Sequence, residues 1–140
     1  VAKPEATFVR YINTRINTNI HVQSMYTPYT AGTPDCYYES RNMALWIEYK
    51  YEKQMPKIYR LSQKLSALQK CWLERAYNNG INVAVAVGFG RNEVVSFIDL
   101  AWDEEYTREE LEPHIVTRTD FIKGIDDFMA GNSMVLGGML

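Results

Sequence analysis

Three residues of this chain have the types and spacing to act on a phosphate ester. They are Asp35, closing Gly32-Thr33-Pro34-Asp35, and Glu48 and Lys50 within Trp46-Ile47-Glu48-Tyr49-Lys50. Two carboxylates can hold a hard divalent cation such as Mg²⁺ and leave its other positions to water and phosphate oxygens, while an ammonium beside them steadies charge that builds up as the ester is cut. The lysine is informative because of its place. Side chains at i and i+2 of a strand leave from the same face, so Glu48 and Lys50 point the same way if this segment is extended. The set has the chemistry of metal-assisted phosphodiester cleavage. Its bland alternative is a pair of surface carboxylates and a solvated lysine.

The elements that would position the trio can be read along the chain. Residues 4–16 suit a helix, with Pro4 in the first turn, Glu5 near its positive end, and Phe8, Ile12 and Ile16 recurring on one side. Residues 17–33 read as a strand and then a loop. Residues 35–39 and 44–50 are short strands rich in Tyr, Trp and Ile, separated by Ser40-Arg41-Asn42, and the short connection makes them an antiparallel hairpin. After a polar link through Met55-Pro56, residues 59–78 give the clearest helix. Leu61, Leu65, Leu68, Trp72 and Ala76 form its apolar face, and Asn79-Gly80 stops it.

Residues 81–87 are nearly continuous Val and Ala, as in a strand covered on both faces, and a helix leading into such a strand implies a crossover to parallel pairing. Gly88-Phe89-Gly90-Arg91-Asn92 then turns the chain into a further strand over 93–98. The Gly-x-Gly is a turn and not a phosphate loop, since no helix follows it. Two helices are expected beyond, around 107–112 and over 119–129, the second with Phe121, Ile122, Ile125 and Phe128 on its apolar side. The tail from Gly131 is frayed or docked by Val135 and Leu136.

Composition limits what this scaffold can be. With 140 residues, 46% hydrophobic and 23% charged, the chain is read as a single domain. No apolar run reaches the roughly 18 residues of a membrane span. Lys3, Glu5 and Arg10 interrupt any signal-peptide-like segment, so the expected location is intracellular. Cys36 and Cys71 have no metal-ligand spacing, which leaves zinc and disulfide readings weak.

The net charge of −2 hides an asymmetry. From Arg41 to Arg75 there are eight basic residues against three acidic ones, and from Asp99 to Asp127 ten acidic against three basic. The basic stretch contains Glu48 and Lys50, and Lys53, Lys57, Arg60 and Lys64 within it are the candidate nucleic-acid contacts. Tyr26, Tyr29, Tyr37 and Tyr38 are open to two uses, stacking on splayed bases or packing within the hairpin. His21 has no assigned role.

The order helix, hairpin, helix, strand, strand, with this acid-acid-x-lysine cluster on the hairpin, resembles the PD-(D/E)xK nuclease superfamily. Within it the chain is most similar to the virus-type replication-repair nuclease group (VRR-NUC), close to Holliday-junction resolvases. The match rests on Gly32-Thr33-Pro34-Asp35, Ile47-Glu48-Tyr49-Lys50, Ser66-Ala67-Leu68-Gln69 leading to Trp72, and Asn79-Gly80-Ile81-Asn82-Val83-Ala84-Val85, and it spans roughly residues 5–98. The resemblance implies an α/β, restriction-endonuclease-like core over residues 1–100, a mixed central sheet flanked by helices. Residues 101–140 would be an acidic helical extension packed on the same domain.

It also implies roles. Asp35, Glu48 and the Tyr49 carbonyl would hold Mg²⁺ or Mn²⁺, with Glu5 as a further acidic ligand. Lys50 would contact the scissile phosphate or the attacking water, and Gln69 would orient that water or the lysine. The expected partner is DNA, with a phage or mobile-element origin suggested by the likeness alone. The departures are a long link between Lys50 and Gln69 with residues 51–60 as an insertion, a bulky Tyr49, and an acidic overall balance. The activity implied is a Mg-dependent endodeoxyribonuclease, with RNA cleavage by the same trio a weaker reading. Junction cutting would call for a two-fold homodimer, for which the apolar last helix and the Met-rich tail offer a surface if they do not cap the core. The alternative from another class is a non-cleaving module that docks a basic protein through Asp103-Glu104-Glu105, Glu109, Glu110 and Glu112.

Overall fold

Pro4 opens the first helix, α1 (Pro4–Asn13), which buries Phe8 and Ile12. The computed structural model of the chain describes residues 3–25 and 31–132. The helix ends a turn before Ile16, where the Thr14 hydroxyl donates back to the Arg10 carbonyl at 2.8 Å and so competes with continuation of the helix. Ile16 is nonetheless buried.

The strands β1 (His21–Ser24), β2 (Cys36–Glu39) and β3 (Ala44–Glu52) pair antiparallel in sequence order. The expected hairpin is therefore present, with β3 two residues longer than the sequence suggested. Residues 51–60, read as an insertion, hold a turn and the two-residue strand β4 (Ile58–Tyr59).

The single helix expected over 59–78 is two. A short α2 (Leu61–Lys64) is followed by extended backbone at Leu65 and Ser66, and then by α3 (Ala67–Asn78). Ser66 causes the break. Its hydroxyl accepts the Gln69 N–H at 3.1 Å while the Gln69 side-chain oxygen accepts the Ser66 N–H at 2.9 Å, a reciprocal cap that starts a new helix. Restarting the helix turns its face. Leu73 and Ala76 are buried, Trp72 is half-buried, and Leu68, expected inside, is 57% exposed.

The strand β5 (Val83–Phe89) is buried throughout and runs parallel to β3, as the crossover required. Gly88 and Phe89 extend this strand where a turn was expected. Phe8 packs against Gly88, where a Cβ would stand 2.8 Å from its ring. β6 (Glu93–Phe97) returns antiparallel to β5.

Beyond it come a 3-10 turn at Ala101–Asp103, the short strand β7 (Tyr106–Thr107) paired with β4, helix α4 (Arg108–Leu111) and a second 3-10 turn at Glu112–His114. The strand β8 (Val116–Thr117) then pairs with β6, and α5 (Arg118–Met129) follows. No local pattern marks β4, β7 or β8, because two residues carry no periodicity.

The result is a six-stranded mixed sheet in the order β1-β2-β3-β5-β6-β8 with helices on both faces. On one face α1 and α5 bury Phe8, Ile12, Phe121 and Ile125 against Tyr38, Ile47 and Tyr49. On the other, Leu61, Leu65, Leu73 and Trp102 cover Val85, Val87 and Phe97. The apolar side of α5 is thus spent in the core and is not a free dimer surface. Val135 and Leu136 lie outside the described residues. Among the described residues no helix is long and apolar enough to cross a membrane.

Candidate active site

Strand alternation sorts β3 between the two faces. Ile47 and Tyr49 enter the core under α1 and α5, while Trp46 joins the α3 side, and Glu48 and Lys50 share its parity. The expectation that Glu48 and Lys50 share a face is met, since Lys50 Nζ lies 3.4 Å from Glu48 Oε2. Asp35 immediately precedes the adjacent strand, β2. Cys36 pairs with Ile47, so continuing that register sets Asp35 across from Glu48. Its Oδ2 accepts the Tyr49 N–H at 2.9 Å, which ties the carboxylate to the β3 main chain.

The loop carrying Asp35 is clamped from its other side. Gly32 has φ of +87° and sits so close to α3 that a Cβ would stand 2.5 Å from the Leu68 carbonyl oxygen. Gly32→Ala is therefore expected to destabilise the fold by about 1–3 kcal/mol from the backbone conformation alone. The clash adds to this and lifts Asp35 out of register with Glu48. Thermal unfolding measures the first effect, and divalent-cation affinity the second.

Glu48 is the unusual group here, 2% exposed and charged in type. Gln69 Nε2 donates to its Oε2 at 2.9 Å, whereas its Oε1 is buried with no hydrogen-bond partner among the described residues. Burial, and then the Asp35 charge, push the Glu48 carboxyl up to about 8, with Lys50 opposing them. Asp35 is raised as well, by burial, against the Tyr49 N–H and Lys50. Glu5 in the first turn of α1 is raised by partial loss of solvent and then by Asp35, so it lies within electrostatic reach of the site. Among the described residues no three His, Cys, Asp or Glu side chains converge closely enough to hold an ion. Main-chain carbonyl and water would have to complete any coordination.

The structure places Gln69 on Glu48. The cap with Ser66 occupies the Gln69 side-chain oxygen, which leaves its amide nitrogen aimed at the carboxylate. Ser66 had no functional role in the sequence reading, although the spacing Ser-x-x-Gln is a legible capping signal.

The four basic residues singled out flank the far end of β3. Lys53 and Lys57 are exposed on the arm around β4. Lys64 pairs with Glu52 at 3.6 Å, and Arg60 with Glu105 at 3.6 Å. A cavity of about 380 Å³ lined by Glu52, Gln54, Tyr59, Arg60, Gln63 and Lys64 lies there. The acidic segment folds back onto the basic one, through Arg60–Glu105 and through Lys70–Asp103 at 3.4 Å. Such exposed pairs are worth little and phosphates can displace them.

The tyrosines divide. Tyr38 is fully buried, its hydroxyl bonded to Asn13 Oδ1 and sharing a hydrogen bond with Tyr49, so base stacking is closed to it. Tyr37 is half-buried with its ring 4.7 Å from Trp46. Tyr26 and Tyr29 lie outside the described residues. His21 is exposed on the edge strand β1, and of the cysteines Cys36 is buried and Cys71 exposed.

No protein-family model and no curated protein matches this sequence. The fold does have relatives among solved structures. One is Hjc, a Holliday junction resolvase from the archaeal hyperthermophile Archaeoglobus fulgidus, with 16% identity and a TM-score of 0.57 over 86% of this chain and 97% of the resolvase. At that identity the likeness is one of architecture: the chain shares the fold of that resolvase, a mixed central sheet flanked by helices, as the sequence led us to expect.

Proposed function

We propose that this chain is a divalent-metal-dependent nuclease that hydrolyses DNA phosphodiester bonds, acting on branched or junction DNA in replication, recombination or repair, and akin to the virus-type replication-repair group. One observation carries the reading: Asp35 and Glu48 stand opposite each other at neighbouring strands with Lys50 on the Glu48 side, and Glu48 keeps one buried oxygen without a partner among the described residues. A carboxylate buried at that cost is explained by a cation that is meant to sit against it.

The donors present fit Mg²⁺ or Mn²⁺. Asp35, Glu48 Oε1 and the Tyr49 carbonyl would hold it, with Glu5 near enough to contribute through water. When bound, such an ion polarises a phosphate oxygen and makes a bound water a stronger nucleophile. The chain's own groups do the rest. Lys50 sets a positive charge where the phosphate's negative charge grows. The Tyr49 N–H holds Asp35, and Gln69 holds the carboxylate of Glu48. Gln69→Ala is expected to weaken cation affinity by roughly 10- to 100-fold, as losing the support of a ligand does, and to lower stability by about 1 kcal/mol because the same side chain closes the α3 cap. Calorimetric titration with Mn²⁺ measures it.

The fold resemblance to a Holliday junction resolvase supports branched DNA as substrate, and cutting two symmetric strands would need two copies. No observation favours the non-cleaving alternative. Two of its acidic residues, Asp103 and Glu105, already contact the chain's own basic segment. The test is cleavage of linear, flapped and four-way DNA with Mg²⁺, Mn²⁺ or Ca²⁺. Cutting of branched DNA with Mg²⁺ or Mn²⁺ is expected, and an inert protein on every substrate and ion removes the proposal.

A further inference from the structure

Beside the acid pair runs a row of aromatic rings that the cleavage chemistry does not use. Tyr37 pairs with Trp46 across β2 and β3, two residues along each strand from Asp35 and Glu48. Their rings lie 4.7 Å apart and tilted at 48°, and Trp46 in turn meets Trp72 of α3 at 5.0 Å and 60°. The guanidinium of Arg75 lies 5.0 Å from the Trp72 ring. All three rings are half-buried. On α3 the buried residues are Leu73 and Ala76, and Trp72 is half-buried and packed against the same cluster.

We infer that Tyr37, Trp46 and Trp72 form a stacking platform for an unpaired nucleobase one nucleotide from the phosphate held at Asp35 and Glu48, with Arg75 contacting the next phosphate. The identity of that held phosphate rests on the nuclease reading above; the platform itself does not. Two residues of strand are about 7 Å, a distance that one nucleotide of an unstacked strand spans. Aromatic faces accept any base, and a cation beside them suits the backbone. A paired base within a duplex cannot reach such a platform, so the substrate must present a splayed or single-stranded nucleotide there. This is the local state of DNA at a branch or a flap.

The test uses the wild-type protein in EDTA, where no cleavage occurs, titrated with a short oligothymidylate and followed by tryptophan fluorescence. Trp102 is 1% exposed, so quenching reports Trp46 and Trp72. We expect saturable quenching, stronger for the single strand than for a blunt duplex of equal length. Trp72→Ala should weaken binding about tenfold or more, and Trp72→Phe, which keeps a stacking face, should restore most of it. Oligonucleotide binding by Trp72→Ala at wild-type strength, or quenching by duplex equal to that by the single strand, overturns the platform. Should Trp72→Ala fail to fold, Trp72→Phe and the wild-type comparison decide alone. Cleavage is a separate readout: quenching without cleavage removes the nuclease reading and leaves the platform, and cleavage without quenching does the reverse.

Discussion

Glu48→Gln is expected to lower DNA cleavage by roughly a thousandfold and, in the same protein, to make the metal-free fold more stable at pH 8. Both effects come from the same burial. The folded protein holds the Glu48 proton up to about 8 against an ordinary 4.5, because burial and Asp35 disfavour the charge. The unfolded chain releases that proton near the ordinary value. Between those two values the folded state binds more protons, so stability falls as pH rises and is present in full only below the unfolded value. The loss by pH 8 is at most about 5 kcal/mol, since each pH unit between the two values contributes about 1.4.

A glutamine keeps an oxygen for Gln69 and Lys50 and carries no charge to bury. The unfolding temperature without divalent ions should therefore fall from pH 5 to pH 8 for the wild type and fall less for Glu48→Gln. Adding Mn²⁺ at pH 8 should raise the wild type alone. An active Glu48→Gln protein would end the assignment of Glu48 to the site.

Lys50→Ala is expected to reduce cleavage by about 10²- to 10³-fold, the usual loss when one preorganised charge-stabilising group is removed. Its signature is a separation of rate from cation affinity. Lys50 is one of the influences that lower the Glu48 carboxyl, so without it the proton is held more tightly and a cation competes with it less well at neutral pH. Raising the pH lessens that competition. Cation affinity of Lys50→Ala should then recover while its cleavage rate does not, as single-turnover assays beside calorimetry would show. If rate and affinity recover together, Lys50 acts only through Glu48.

Much of this arrangement was legible in the sequence because it depends on simple periodicities. The spacing of Glu48 and Lys50 on a strand set their shared face, and the apolar run from Val83 placed β5 parallel to β3. What escaped was governed by single side chains or by distant contacts. Ser66 splits the long helix through a cap that competes with a good helical pattern, and the split turns Leu68 outward and Leu73 inward. β8 exists only because β6 offers it an edge to pair with. The closeness of Gly32 to Leu68, and the burial of Glu48, are tertiary facts with no local pattern. The capping sequence Ser66-Ala67-Leu68-Gln69 was present to be read, and it accounts for both the helix start and the aim of Gln69.

The most direct test of the account is a Mn²⁺ titration at pH 8, by calorimetry or by electron paramagnetic resonance, of the wild type beside Asp35→Ala and Glu48→Gln. A single saturable site is expected in the wild type, lost in both variants while each remains folded. A wild-type protein that binds no Mn²⁺, or an Asp35→Ala protein that binds it with wild-type affinity, would contradict it.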